Sequence, residues 1–135
     1  MLAGERGAVK SFQLNVMPLG VEPLKRRAEF LRVAAARRKY VMPGLLLQTC
    51  AYDGKIGAVR VGYTASRKVG NAVARNRAKR RLRAAVGEVM PLHAAADHDY
   101  VVIARQATAN RSFTALRRDL ETAMKKLKVW REVDQ

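Results

Sequence analysis

The sequence predicts a mixed α/β domain in which helices cover one face of a sheet and leave the other face partly open. Segments with helical apolar periodicity alternate with short runs rich in β-branched residues. Their order is helix, two or three strands, helix, strand, helix, which is typical of an α+β two-layer sandwich. The 135 residues, of which 49% are hydrophobic, allow one domain with one core. We expect this domain over residues 22–130, after a disordered extension (1–21) and before a short tail (131–135).

The first helix is predicted to follow Pro23, a favourable first-turn residue, and to run over residues 24–39. Its main apolar stripe repeats at helical spacing and consists of Leu24, Ala28, Leu31 and Ala35. Phe30, Val33 and Ala34 fall outside that stripe and give the helix a second, partly apolar side. We therefore expect the stripe to face the core and the second side to be available for another use.

An apolar run over residues 45–52 follows the Pro43-Gly44 break and predicts a buried strand. The Asp53-Gly54 pair is a turn signal, so residues 56–65 are expected to return antiparallel as a hairpin partner. Cys50, the single cysteine, is expected to be a small buried hydrophobe in the first of these strands. With no disulfide framework, a reducing cytoplasm is the expected compartment.

The next helix is predicted to begin at Asn71, which is a favourable N-cap, and to end at Pro91. Its apolar stripe is Ala74, Ala78, Leu82, Ala85, Val86 and Val89. The opposite side is strongly basic, because residues 67–83 contain eight Lys and Arg residues and no acid. Residues 99–105 are then predicted to form a strand, and Ser112 to cap a last helix.

The charge of the chain indicates a polyanionic partner. Lys and Arg number 27 against 11 Asp and Glu, a formal net charge of +16 at pH 7. Like charges repel along a helix, so the acid-free run of eight cations over residues 67–83 favours nucleic acid as the ligand. Three classes remain open at this point: a subunit of an RNA-containing enzyme, a stand-alone or ribosome-associated RNA-binding protein, and a cationic protein that binds membranes or compacts DNA. No apolar run reaches the roughly 18 residues of a spanning helix.

The residues that could catalyse a reaction do not form a recognisable site in the sequence. His93 and His98 are the only histidines, and His98 lies between Asp97 and Asp99 in an expected loop, where such side chains are mostly solvated. Ser66 has no evident base partner. The sequence therefore predicts binding rather than protein catalysis, with no metal site formed by the protein alone.

The segment from Arg60 to Arg83, RVGYTASRKVGNAVARNRAKRRLR, resembles the signature of the bacterial ribonuclease P protein subunit. The similarity extends over roughly residues 23–128, with the DYVVIAR strand included. It implies the fold of the second domain of ribosomal protein S5, with a left-handed βαβ crossover. It also implies that the protein assists a catalytic RNA subunit, whose bound Mg²⁺ serves the hydrolysis that removes the 5′ leader from precursor tRNA. Neither a membrane nor an obligate protein partner is expected.

The resemblance assigns roles to two groups of residues. Contacts with the RNA subunit are expected from Arg75, Asn76, Arg77, Lys79, Arg80 and Arg83. A cleft for the single-stranded leader is expected from Phe30, Val33, Ser66, Arg67, Lys68 and Asn71. Ala34 stands where the family often has a second aromatic, which weakens the expected stacking platform because each base–aromatic stack contributes about 1–3 kcal/mol.

Overall fold

The computed structural model describes residues 20–133 of the chain, and its centre is a five-stranded sheet. The strands are β1 (Glu22–Pro23), β2 (Arg38–Val41), β3 (Leu45–Ala51), β4 (Val59–Thr64) and β5 (His98–Ala104). The helices are α1 (Arg27–Ala35), α2 (Ala72–His93) and α3 (Phe113–Lys126), with 3₁₀ turns at Arg67–Val69 and Gln106–Ala109. The mixed α/β class is confirmed, and so is the predicted order of helices and strands, except that the short strand β1 precedes the first helix. Val21 is already buried in the core, so the packed part of the chain includes it.

The strand order is β1-β4-β5-β3-β2. β5 is parallel to β4 and antiparallel to β3, and α2 connects β4 to β5, which makes a βαβ unit. The predicted hairpin between β3 and β4 is therefore wrong, because β5 lies between them. The physical reason is burial: five of the seven residues of β5 are buried, and a strand apolar on both faces is most stable at the centre of a sheet.

α2 and α3 cover one face of the sheet and enclose the main core. Five members of the predicted α2 stripe, Ala78, Leu82, Ala85, Val86 and Val89, are buried there, and Ala74 is half-buried. The predicted caps are also confirmed, since Asn71 Oδ1 accepts from the Ala74 N–H and Ser112 Oγ from the Ala115 N–H. α2 continues beyond Pro91 to His93, contrary to the prediction. Pro91 lacks the N–H that would bond to the residue four positions back, but the last turn still closes through the bond from the Ala94 N–H to the Met90 carbonyl at 3.0 Å.

α1 packs on the opposite face, where Val33 joins Leu24, Cys50 and Val101 in a small second cluster. The predicted orientation of α1 was wrong: Leu31 is 55% exposed, and the side that carries Phe30 and Val33 faces the sheet. Cys50 is buried in β3, as predicted. Because α1 is short, it leaves part of this face open.

Both ends of the predicted first helix were also placed wrongly. Pro23 lies in β1, which pairs with β4, and the helix begins only at Arg27. It ends at Ala35 because Arg37 adopts a left-handed conformation and the next four residues pair with β3 as strand β2. Hydrogen bonding to a sheet edge outweighed helix propensity here. Within residues 20–133, no helix is both long and apolar enough to cross a membrane.

Candidate nucleic-acid interface

The exposed side of α2 presents the predicted phosphate-binding residues on a rigid support. Asn76, Arg77, Arg80 and Arg83 are exposed, whereas Arg75 and Lys79 are half-buried. The buried stripe of α2 packs on the sheet and fixes the rotation of the helix about its own axis. The RNA-subunit candidates therefore lie along the part of α2 that the sheet does not cover, with Arg75 nearest the buried stripe. We call this set the α2 face: Arg75, Asn76, Arg77, Lys79, Arg80 and Arg83.

Two residues of the α2 face also make contacts within the protein. The Arg83 guanidinium lies over the Tyr63 ring, 5.2 Å from its centroid. Burial raises the pKa of the Tyr63 hydroxyl, so this ring stays neutral beside the cation. Arg75 Nη1 donates to the Gly70 carbonyl at 3.3 Å. Arg81, by contrast, donates to the Thr108 carbonyl at 2.6 Å and ties α2 to the turn before α3.

Phe30 lies directly against the backbone of β4 on the open face of the sheet. A Cβ at Gly62 would stand 2.4 Å from Phe30 Cζ, so only glycine lets the ring approach this closely. The ring is half-buried and leaves one part accessible, while Ala34 is exposed. Val33 has no exposed surface and anchors α1 from beneath, so it does not reach a ligand as predicted.

A groove with a volume of about 630 Å³ lies on the open face of the sheet. Its apolar floor includes Leu46 and Ile103, and Ile103 also packs against the cluster beneath α1. Its rim holds two of the predicted residues, Ser66 and Lys68. Two further rim residues, Arg105 and Gln106, were missed as site residues. The available signal was their place directly after a buried strand, where polar side chains meet the sheet edge.

The other two predicted cleft residues border this region. Arg67 is exposed in the 3₁₀ turn between β4 and α2, next to Lys68. Asn71 is exposed at the start of α2, but its side-chain oxygen is engaged as the N-cap. The structure thus places Ser66, Arg67, Lys68 and Asn71 along one connection, of which Ser66 and Lys68 line the groove.

An ionic network attaches α1 to the sheet. The fully buried Asp99 carboxylate accepts from Arg60 Nε and Nη2, both at 2.7 Å, and from Arg32 Nη2 at 2.5 Å. Arg60 also donates to Glu29 Oε2 at 2.9 Å and lies 3.6 Å from the centroid of the Tyr52 ring. Since Glu29 and Arg32 belong to α1, the network holds the helix that carries Phe30.

The charges of this network are stabilised by their partners. Glu29 Oε1 accepts from the backbone N–H groups of Arg26 and Lys25, and these bonds lower the pKa of the Glu29 carboxyl. The hydrogen bond from Arg60 to Asp99 raises the pKa of Arg60. Sequence reasoning missed the network; its only local signal is a charged residue, Arg60, inside an apolar strand.

The residues considered for metal binding or acid–base work were expected to lie in one loop, but the structure separates them. Asp99 lies in β5 and is bound by the arginines, whereas Asp97 accepts from the Gly57 N–H at 2.6 Å. His98 Nδ1 is 2.8 Å from the Ala96 carbonyl, and the His93 ring stacks on Trp130 at 4.0 Å. Over residues 20–133, no group of three or more His, Cys, Asp or Glu side chains could hold a metal ion.

The fold and these surfaces define a class of protein: an α/β domain with a strongly basic helix on one face and an open cleft on the other. Comparison with known proteins is more specific. The family model described as Ribonuclease P matches residues 21–128, and the chain belongs to this family.

The relatives and solved structures agree with that membership. The chain is 51% identical over 114 residues to the ribonuclease P protein component of Paramagnetospirillum magneticum, covering 82% of this chain and 86% of the relative. It is 46% identical to that of Ruegeria pomeroyi, covering 80% and 87%. The structure of Staphylococcus aureus RNase P protein superposes with a TM-score of 0.67 at 30% identity, covering 80% and 96%. The Thermotoga maritima protein, 24% identical with a TM-score of 0.64, shares the fold.

Proposed function

We propose that the chain is the protein component of ribonuclease P and acts in the cytoplasm in the maturation of tRNA 5′ ends. The α2 face binds the catalytic RNA subunit, and the cleft beside α1 holds the 5′ leader of precursor tRNA. The RNA subunit carries out the Mg²⁺-dependent hydrolysis, and the protein is auxiliary. The observation that supports this division is that the α2 face and the cleft lie on opposite faces of one sheet.

The chemistry of the α2 face suits a folded RNA. Its guanidinium groups donate several hydrogen bonds each and grip phosphate oxygens bidentately, which a lysine does not. They stand on a helix fixed by buried side chains, so little conformational freedom is lost on binding. A rigid array of this kind fits the phosphate backbone of a structured RNA better than a flexible single strand.

The cleft suits a single strand. Phe30 offers a half-exposed ring, Leu46 and Ile103 an apolar floor, and Lys68 and Arg105 cations at the rim. Single-stranded RNA is bound by stacking of unpaired bases together with cations along the backbone. With Ala34 exposed beside it, Phe30 supplies the stacking surface at this position of α1.

The buried carboxylates support assigning Mg²⁺ to the RNA subunit. Asp99 is held by two arginines, and Asp119 accepts from Arg111 Nε at 2.6 Å and from the Gly44 N–H at 2.9 Å. A metal would have to displace these cations. The carboxylates are therefore parts of the fold, and the protein contributes binding and positioning.

Reconstitution tests the proposal. The protein is added to the cognate catalytic RNA and precursor tRNA at low Mg²⁺, and cleavage is followed for leaders of normal length and for leaders trimmed to one or two nucleotides. We expect faster or tighter processing with the protein present, and a smaller gain for the trimmed substrate. If the protein binds RNA but leaves cleavage unchanged, it is a stand-alone or ribosome-associated RNA-binding protein.

Two variants separate the surfaces. Arg80→Ala should weaken RNA-subunit binding and reduce the salt dependence of that binding by about one phosphate contact. Phe30→Ala should spare the RNA subunit and weaken leader binding by about 5- to 150-fold, the range that a loss of about 1–3 kcal/mol of stacking gives. Identical behaviour of the two variants would contradict the division into two surfaces.

A further inference from the structure

A second basic surface lies away from both the α2 face and the cleft. It is formed where strand β2 meets the end of α3, and Arg38 Nη2 joins the two parts by donating to the Leu127 carbonyl at 2.5 Å. All six of its cations are exposed, and we call them the β2–α3 patch: Arg37, Arg38, Lys39, Lys125, Lys126 and Lys128.

Acids are absent from the two segments that form the patch. No Asp or Glu occurs between Phe30 and Tyr52, nor between Thr122 and Arg131. None of the six cations forms an ion pair with an acid among residues 20–133. Lys125 Nζ lies 4.9 Å from the centroid of the Trp130 ring, and Arg38 is engaged with the Leu127 carbonyl. The patch is therefore strongly positive, and its neighbouring acid is Glu132, which accepts from Trp130 Nε1 at 2.9 Å.

The patch is spatially separate from the α2 face because α2 and α3 run side by side in the same direction. Arg81 contacts Thr108 shortly before α3 begins, and the Ala95 N–H donates to the Val129 carbonyl shortly after α3 ends. The α2 face ends at Arg83, and α2 continues for ten residues to His93, which is about 15 Å of helix. One RNA phosphate cannot contact both surfaces.

Two of these cations occupy backbone positions that favour glycine. Arg37 and Lys128 each occupy the position after a helix C-cap, with φ of 58° and 61°. At the end of α3 the Val129 N–H donates to the Met124 carbonyl and the Lys128 N–H to the Lys125 carbonyl, which is the Schellman arrangement. Glycine is favoured at that position because a side chain strains the left-handed backbone. Both helices thus display a cation where the backbone favours glycine.

We propose that the β2–α3 patch is a second RNA-binding surface, which contacts the phosphate backbone without reading base sequence. The patch supplies point charges and an arginine fork but no free aromatic, since Trp130 is stacked on His93 beneath Lys125. Such a surface fixes an RNA by its phosphates alone. The proposal rests on the proposed function only in taking RNA as the polyanion; the RNA subunit and precursor tRNA are the two sources of that backbone.

The test measures the affinities of the full protein for the RNA subunit, and of the reconstituted complex for precursor tRNA, over a range of KCl concentrations. Lys126→Gln/Lys128→Gln should lower the slope of log K against log salt by about 1.4–1.8, two contacts at about 0.7–0.9 each, for one of these RNAs. The RNA that responds identifies the source. Lys55→Gln is the matched control, because Lys55 is exposed at the opposite edge of the sheet and pairs with Glu22.

A glycine variant separates RNA binding from a role in ending the helix. Lys128→Gly relieves the left-handed strain, so we expect its urea midpoint to rise while the salt slope falls by about one contact. A variant that is more stable and binds more weakly cannot be explained by misfolding. A lower midpoint with an unchanged slope would assign Lys128 to the helix end alone and overturn the proposal.

Three further outcomes would overturn it. The first is an unchanged salt slope for both RNAs in the double variant. The second is an equal fall of the salt slope in Lys55→Gln. The third is a double variant that loses affinity for phosphatidylserine vesicles but not for either RNA. Failure of the proposed function is distinguishable, because it would leave Arg80→Ala without effect on RNA-subunit binding whatever the patch variants do.

Discussion

Asp99→Asn should separate the attachment of α1 from the rest of the fold. The substitution keeps the size of the side chain and removes the charge that Arg60 and Arg32 share. Asp99 has no exposed surface, and Arg60 is 14% exposed, so the lost charge leaves a partly buried guanidinium facing an amide. Removing one partner of a buried ion pair costs about 3–5 kcal/mol.

The structure places the cost at the lower end of that range. Arg32 is 45% exposed, so water can solvate its charge when the carboxylate is gone. Arg60 keeps its bond to Glu29. We therefore expect a loss of about 3 kcal/mol in the free energy of unfolding. For a domain of this size, that corresponds to a fall of about 12 °C in Tm, at about 4 °C per kcal/mol.

Urea denaturation followed by circular dichroism measures the loss, with Asp53→Asn as the control. Asp53 is exposed in the connection before β4, and its change should stay within about 0.5 kcal/mol. Binding provides the second readout: because α1 carries Phe30, leader affinity should fall, while RNA-subunit affinity should hold because α2 is fixed independently. A loss below about 1 kcal/mol, or equal weakening of both ligands, would refute the reasoning.

Two further predictions concern the same face of the sheet. Backbone N–H groups lower the pKa of Glu29 in the folded protein, so its contribution to stability is present above the unfolded pKa and is lost as pH falls through the folded pKa. Glu29→Gln should therefore reduce the loss of stability with falling pH, measured by urea unfolding from neutral to strongly acidic pH. An unchanged loss of stability with pH in this variant would contradict the assignment. Gly62→Ala should lower the free energy of unfolding by about 1–3 kcal/mol, because the added methyl group pushes the Phe30 ring off β4. In a Phe30→Ala background this loss should largely vanish. Full additivity of the two substitutions would show that the two residues do not clash.

Local patterns predicted α2 almost completely. The helix has a stripe at a period of 3.6, a capping Asn71 and a strongly basic opposite side, and each is a property of neighbours along the chain. The same holds for α3 and for the buried Cys50. α1 was harder to predict, because both of its sides carry apolar residues, so periodicity alone could not choose between Leu31 and Val33 as the buried one.

The errors arose where distant segments meet. The turn that Asp53-Gly54 signalled lies instead at Ile56-Gly57, where Gly57 has a φ of 81°. Nor could that signal show that β5 would lie between the two strands it connects. Arg38–Val41 left the predicted helix because β3 offered an edge to pair with. Arg60 and Asp99 became neighbours only through the parallel pairing of β4 with β5, across 39 residues of chain. The groove residues Arg105 and Gln106 likewise depend on where β5 ends in the sheet.

The sequence by itself determined the α/β class, the basic helix and its two sides, and the motif that marks the ribonuclease P family. Tertiary structure decided which side of α1 is buried, how Phe30 rests on Gly62, and that Asp99 holds α1 in place. It also separated the cations into the α2 face, the cleft rim and the β2–α3 patch. The reason is physical: helix periodicity and capping act over three or four residues, whereas strand pairing and ion pairing act between segments that only folding brings together.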